Sequence, residues 1–513
     1  MEALKTIRPE LLALAPDQLR ALSPYLFVFA GTLLAILFSA SRVVKSKWPV
    51  FLIFALSTIT GTVAALALLR EPPTLLFNGM MSSDAYANSF CVIFLVSALV
   101  TAASSLKYLD NEVLQQPEYY VLILFSALGM MLMASALDLV VMFIALELMS
   151  LAVYTLVGFR RNDRRSNEAA MKYFILGSAA SAVLLYGVAL LYGATGSTGI
   201  RAIFAYLQAS SGQGVTPVFA IGAWFAVLGF LFKIAVVPFH MWMPDVYEGA
   251  PVPVTGFMTT GLKAAAFAAF LRVFIATGYG ATGYGATGYG SGISAVIQNH
   301  IHDILWVSAV LTMVIGNVIA LTQTNLKRML AYSSIAHSGY ILVGMIAGPL
   351  SEQGYAPVFM YLAAYAAMNL GAFVILTSLA ARNDGRLNLH DFSGLSRRHP
   401  WLAFSMAIFM FSLAGIPPTA GFSAKYVLFY SAIQANEILL VVISVLCSLI
   451  SVYYYLRVLV YMYMRDTLDE VPVRRRVSVW SAAAIAAMVI LTLQIGVLPA
   501  RIVAAAKKAV TSL

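Results

Sequence analysis

Six basic residues interrupt apolar stretches of this 513-residue chain: Lys172, Lys233, Lys263, Arg272, Lys425 and Arg457. One acidic residue, Glu147, lies equally deep, in FIALELMSLAVY, whereas Asp138 and Asp303 fall at segment ends. At bilayer depth a charged side chain costs at least roughly 2.5–3.5 kcal/mol on insertion scales, so such residues face a cavity or a partner and by default mark an ion pathway. A lysine near a carboxylate offers one specific chemistry. The carboxylate favours the charged amine and burial favours the neutral one, so moving the partner switches the lysine's hold on a proton. Lys172 and Lys233 are the candidate partners of Glu147, and a static buried ion pair is the plain alternative.

The six are not equivalent. Arg272 and Arg457 lie within about two turns of a segment end, where a long side chain snorkels to the interface. Lys172 is about one turn from a loop, so snorkelling and function both stay open, whereas Lys263 is mid-segment in an alanine-rich run. Lys233 and Lys425 stand beside helix breakers. In GFLFKIAVVPFHMWMPDVYEGAPVPVTGF (229–257), Pro238 follows Lys233, and His240 falls seven residues on, close to the same helical face. In SLAGIPPTAGFSAKYVLF (412–429), Lys425 follows Pro417 and Pro418. Proline removes a backbone hydrogen bond, and in a membrane the exposed backbone is tolerated only against protein or a water-lined cavity. His337, among Ser333, Ser334, Ser338 and Tyr340, suits either a proton relay or a simple hydrogen-bonded role.

The elements that must hold these residues follow from composition. Charged residues make up 11% and hydrophobic ones 61% of the chain, and the mean hydropathy is +0.85. Soluble domains carry about 25% charged residues, so a single membrane domain is expected. Cys91 and Cys447 stand apart in apolar segments, which excludes a disulfide framework, a CxxC zinc site and a cysteine-ligated cluster. His300, His302, His390 and His399 offer no metal site or haem ligand pair. The polar N-terminus, Met1 to Arg20, lacks the pattern of a cleaved signal peptide.

At about 20 apolar residues per span, the chain divides into fourteen transmembrane helices. The predicted class is therefore an all-α integral membrane protein with two discontinuous helices. Lys and Arg test the count: eighteen fall in odd-numbered loops, and Arg70 and Arg201 alone fall in even ones. Odd loops thus face the cytoplasm and both termini the opposite side. The interrupted helices lie five spans apart, which predicts two five-helix repeats of inverted topology. The predicted units are three additional helices within 1–116, a first repeat over 117–278 (spans four to eight), an outer loop at 279–300, a second repeat over 301–464 (spans nine to thirteen), and a last helix and tail at 465–513. Residues 276–290 repeat ATGYG three times, read as a tandem duplication tolerated in that outer loop.

Four segments together carry a family resemblance: ALELMSLAVYTLVGF (145–159), FKIAVVPFHMWMPDVYEGAPVPVTGF (232–257), NLKRMLAYSSIAHSGYILVG (325–344) and GLSRRHPWLAFSMAIFMFSLAGIPPTAGFSAKYVLF (394–429). Over essentially its whole length the chain resembles the subunit N family of bacterial proton-translocating NADH–quinone oxidoreductase, respiratory complex I, whose members are antiporter-like membrane subunits. The resemblance implies a proton-translocation axis of Glu147, Lys233, Lys263 and Lys425 at mid-membrane, joining half-channels to the two sides, with Lys172, His240 and His337 accessory. Sister subunit M carries glutamate where this chain has Lys425, and sister subunit L extends into a lateral helix beyond the point where this chain stops, at Leu513. The ATGYG insert departs from the family pattern.

The resemblance also implies a bacterial inner-membrane location and, as partners, subunit M, the small subunit K and the lateral helix of subunit L, with lipid around them and no nucleic acid. The chain would be one subunit of a translocase with no redox chemistry of its own. No G-x-G-x-x-G opens a helix after a strand to hold NADH. FMN, iron–sulfur clusters and quinone are expected in partner subunits, with no cofactor and no metal here. A subunit of a multi-subunit Na+/H+ antiporter, which shares the fold and the lysines, is the alternative, and a structural membrane scaffold or a haem-bearing redox subunit are rivals of other classes.

Overall fold

Inside a bilayer every backbone polar group must be satisfied within the protein, and helices do this segment by segment. The computed structural model describes residues 15–40, 48–112, 114, 117–210, 214–276, 295–380, 384–385, 387–466 and 477–512. The ATGYG repeat, apart from Ala276, and the extreme N-terminus lie outside the described residues. Helices α1 (Pro16–Ala40), α2 (Trp48–Leu68) and α3 (Ala85–Glu112) come first. They are followed by α4 (Glu118–Ser135), α5 (Leu139–Val157), α6 (Arg164–Thr195) and the short α7 (Ile200–Ala209). The first interrupted helix comprises α8 (Pro217–Lys233) and α9 (Trp242–Gly249). Next is α10 (Val252–Phe257), which runs through a π-helical turn, Met258–Leu262, into α11 (Lys263–Ala276).

The second half of the chain holds α12 (Ala295–Thr322), α13 (Leu326–Ala347), α14 (Ala356–Leu379) and the one-turn α15 (Leu395–Arg398). Its interrupted helix is α16 (Pro400–Ala414) with α17 (Ala420–Gln434), and α18 (Ile438–Met464), α19 (Val479–Val497) and α20 (Pro499–Thr511) complete the chain. Among the described residues twelve helices are long and apolar enough to cross a membrane, and α8 and α16 are shorter apolar helices. The chain is a multi-pass integral membrane protein.

Short polar side chains start several of the helices. Asp138 accepts from the Val140 and Val141 amides at 2.8 and 3.1 Å, and Asn325 accepts from the Arg328 amide at 3.2 Å. These caps satisfy orphan amides at the α5 and α13 N-termini. The turn before each capped helix also pairs with a distant segment: Asp138 bridges to Gly199, beyond α6, and Asn325 to Asn388, beyond α14. Helix α6 lies directly on α8, and a Cβ at Gly187 would stand 2.6 Å from the Ala226 amide nitrogen, so only glycine permits that approach. Helices α13 and α14 form the covered centre, wrapped by α3, α16, α17, α18 and α19.

Four features differ from the sequence reading. The chain is not wholly α-helical: Thr74–Leu76 and Met81–Ser83 form an antiparallel hairpin, because Asn78 and Gly79 adopt the left-handed backbone of a tight turn. The loop after α6 contains α7, whose Ile200, Ile203, Phe204 and Leu207 fall on one buried face. The first interrupted helix resumes beyond residue 241, as α9. The C-terminal tail is largely the helix α20.

Candidate functional site

Lysine Lys233 ends α8 and is buried. Its Nζ donates to Ser150 Oγ at 3.1 Å and stands 5.9 Å from the Tyr154 ring, both on α5. Glu147 lies one turn before Ser150 on α5, on the same helical face. Its Oε1 is buried without a hydrogen-bond partner among the described residues. Beyond Lys233 the chain turns through Ala235, a left-handed residue with φ 54°. The Val236 amide donates back to Leu231 O at 3.2 Å and the Ala235 amide to Phe232 O at 3.0 Å, the two bonds of a Schellman termination. Other helices satisfy the rest of the break: Ser338 Oγ donates to Ile234 O at 2.8 Å, and the Val237 amide donates to Thr312 Oγ1 at 2.9 Å.

Serine 338 leads to the second lysine. One turn back on α13, Ser334 accepts from Lys263 through both its carbonyl and its hydroxyl. Lys263 opens α11 directly after the π-helical turn and lies 5.4 Å from the Tyr365 ring. The wider turn is a feature often found at functional sites. His337 lies next along α13, between Ser334, which holds Lys263, and Tyr340, whose ring lies near Lys425. Its Nδ1 is 2.7 Å from Tyr361 Oη and its Nε2 3.2 Å from Tyr455 Oη, and Tyr455 in turn bonds Ser333. The polar neighbours of His337 are therefore tyrosines of α14 and α18, with Ser333 of its own helix reached through Tyr455.

The third lysine belongs to the second break. Helix α16 ends on Gly415, left-handed at φ 90°, with the Ile416 amide donating to Phe411 O and the Gly415 amide to Ser412 O, both at 3.0 Å. Lys425 reaches back from α17 and donates to Leu413 O and Ala414 O, each at 3.1 Å, and to Ser448 Oγ at 2.9 Å. An ammonium at a helix C-terminus meets both unpaired carbonyls and the negative end of the helix dipole. Its Nζ also lies 5.3 Å from the Tyr340 ring. Together these contacts make a buried polar chain from Glu147 through Lys233 and Lys263 past His337 to Lys425.

Other expected residues lie elsewhere or act differently. Lys172 does not pair with Glu147; it is partly exposed and bonds Asp245 at 2.8 Å and Glu168 at 2.9 Å. His240 does not share a helical face with Lys233, because α8 stops at Lys233 and His240 falls within the break. Arg272 does not snorkel: it is buried, grips Asp84, between the hairpin's second strand and α3, with two 2.9 Å bonds, and stacks 5.0 Å from Tyr86. Arg457 does sit near an end, donating to the carbonyls of Leu321 (2.9 Å) and Gln323 at the close of α12.

A second polar group, at the far end of α9, was not anticipated. Arg328 bridges Asp245 (3.0 Å) and Glu248 (2.7 Å), and with Lys172 they border a cleft of ≈ 140 Å³. Beneath it, buried Lys327 donates to Glu248 O at 3.0 Å and to Ala250 O, and pairs with Asp384 at 3.0 Å. Asp245 and Glu248, three apart and so on one helical face, were the available signal, but nothing in sequence joined them to Arg328. Tyr361 and Tyr365 likewise mark one face of α14 by their spacing, without revealing that His337 lies opposite.

The sequence profile described as "NADH:quinone oxidoreductase/Mrp antiporter, TM" matches residues 136–451. Among relatives, NADH-quinone oxidoreductase subunit N of Trichlorobacter lovleyi is 45% identical over 77% of each chain, and that of Thioalkalivibrio sulfidiphilus is 38% identical over 95% of this chain and 97% of its own. A chain in the structure of respiratory complex I from Thermus thermophilus with bound aureothin is 32% identical, with a TM-score of 0.77 over 94% of this chain and 98% of that one. A chain of the Mrp complex from Dietzia, 21% identical, shares the fold with a TM-score of 0.82 over 96% and 97%. By profile, by relatives matched over most of their length and by fold, this chain belongs to the NADH-quinone oxidoreductase subunit N family.

Proposed function

We propose that this chain is the proton-translocating antiporter-like subunit of an NADH–quinone oxidoreductase, with Glu147, Lys233, Lys263 and Lys425 as its proton carriers. The observation that carries the assignment of residues is the buried chain itself: three lysines at helix interruptions, linked by serines, tyrosines and His337, with a carboxylate at one end whose Oε1 lacks a hydrogen-bond partner among the described residues. Buried charges held only to neutral groups are free to exchange protons as a partner charge moves. NADH oxidation and quinone reduction, with FMN and iron–sulfur clusters, belong to partner subunits in this reading, and this chain contributes transport to the translocase.

The finer architecture is also a proposal: fourteen spans, with inverted repeats over 117–278 and 301–464 flanked by the three-helix unit and the last helix. Matching bridges, Asp138 to Gly199 and Asn325 to Asn388, support the repeat, as do the paired Schellman terminations at Ala235 and Gly415. Charge asymmetry of the loops supports an inner-membrane orientation with both termini outside. In that orientation the Lys172–Asp245–Arg328 cleft faces the cytoplasm, where Lys172 serves proton entry rather than pairing with Glu147. Subunits M, K and L are the proposed neighbours.

The test is Lys233→Ala and, separately, Glu147→Ala in the assembled complex, with proton pumping measured against NADH oxidation. Pumping is expected to fall; wild-type stoichiometry in both variants would sink the assignment. Sodium-dependent pH changes in vesicles would instead favour the antiporter reading, which the relatives' names favour less.

A further inference from the structure

Between α2, α3, α14, α19 and α20 runs an apolar groove of ≈ 250 Å³. Its walls come from one end of each helix: the close of α2 at Leu66 and Leu69, the start of α14 from Phe359, and the close of α19 at Ile495. Along α14 the groove runs from Phe359 to Leu370, about 16 Å at 1.5 Å per residue. A hydrocarbon core of about 30 Å gives each leaflet about half that thickness, so the groove is one leaflet deep. Small side chains, Ala363 and Ala366 among them, keep it open.

Helix α20 closes the mouth. Ile502 and Ala505 line the groove, while Ala506 and Ala509 are fully buried beneath the helix. Arg501 lies four residues before Ala505 and Lys508 three after, so both share its face, and both are exposed. Arg70 follows groove-lining Leu69 directly. Basic residues are fewer on this side of the chain than on the other: the even-numbered loops hold only Arg70 and Arg201 and the two tails three each, against eighteen in the odd-numbered loops.

We propose that the groove is a binding site for an anionic phospholipid, one acyl chain lying along α14 and the headgroup phosphate held by Arg501 and Lys508. The apolar walls supply the affinity for the chain and the basic rim the choice of headgroup. On α14 the groove residues Phe359, Ala363, Ala366 and Leu370 are not those that meet the proton path, Tyr361 and Tyr365, so the proposal goes beyond the transport reading and does not depend on it.

The test uses the assembled complex in bilayers containing a trace of photoactivatable phosphatidylglycerol or phosphatidylcholine, with cross-links mapped to residues 359–370 and 488–495. In the wild type, phosphatidylglycerol is expected to label these segments several-fold more than phosphatidylcholine, and unlabelled phosphatidylglycerol to compete. Ala363→Trp, which plugs the groove, is expected to abolish labelling, and Arg501→Glu with Lys508→Glu to bring the two lipids to parity. Equal labelling by both lipids in the wild type would overturn the proposal, as would phosphatidylglycerol labelling undiminished by Ala363→Trp. The wild-type competition decides the matter even if a variant fails to assemble.

Discussion

The two interrupted helices end the same way and use their lysines differently. Aligned on the left-handed residue, Ala235 matches Gly415, Val236 matches Ile416 and Pro238 matches Pro418, and both terminations carry the same pair of backward amide bonds. At the first break the final carbonyl, Ile234 O, is satisfied by Ser338. Among the described residues Lys233 is left with one hydroxyl contact, to Ser150, one turn along α5 from Glu147. At the second, the equivalent carbonyl, Ala414 O, is satisfied by Lys425 itself, which holds Leu413 O and Ser448 as well. One geometry thus yields a lysine free to respond to a carboxylate and a lysine anchored by three oxygens. We take Lys233 as the switching site and Lys425 as the site where proton transfer is tied to the packing of the break.

The largest expected difference lies between Lys425→Ala and Lys233→Ala. Both are expected to abolish pumping, but only Lys425→Ala bares two buried carbonyls, at about 1–3 kcal/mol each. Thermal unfolding of the purified complexes checks this, and equal stability in the two variants would break the comparison. Next, Glu147→Gln keeps shape and removes the charge that Lys233 feels. Pumping is expected to drop to background with assembly intact; normal pumping would mean that Lys233 switches without it.

Smaller effects probe the shared backbone. Ser338→Ala strips the partner from Ile234 O and is expected to destabilise the subunit by about 1–3 kcal/mol, read as a lower midpoint of unfolding. Left-handed backbone costs a residue with a Cβ roughly 1–2 kcal/mol. Gly415→Ala is therefore expected to lose about that much, the more so because its Cβ would stand 3.1 Å from Lys425 Cδ. Ala235→Gly removes that cost at the first break, offset by about 0.5–1 kcal/mol of chain entropy, so a small net gain is expected. If both substitutions were neutral, the two terminations would not share a backbone requirement.

Sequence alone made the membrane class, the apolar helices, both breaks and the buried lysines legible. Apolar length and buried charge are properties of the chain read locally, and proline announces its own interruption. Sequence also misjudged Arg272. Distance to a helix end was readable, but Asp84, 188 residues away, was not. The pairing of Lys172 failed for the same reason, since Asp245 lies 73 residues on. Nor did the pattern equate the two breaks, because lysine precedes one and follows the other. Only the fold carries the Lys425 side chain back over the break onto the carbonyls of α16, beside the position that corresponds to Lys233. Which residues are costly to bury is written in the sequence, because the cost belongs to each side chain. What offsets that cost is decided by tertiary structure, because the partners come from other helices.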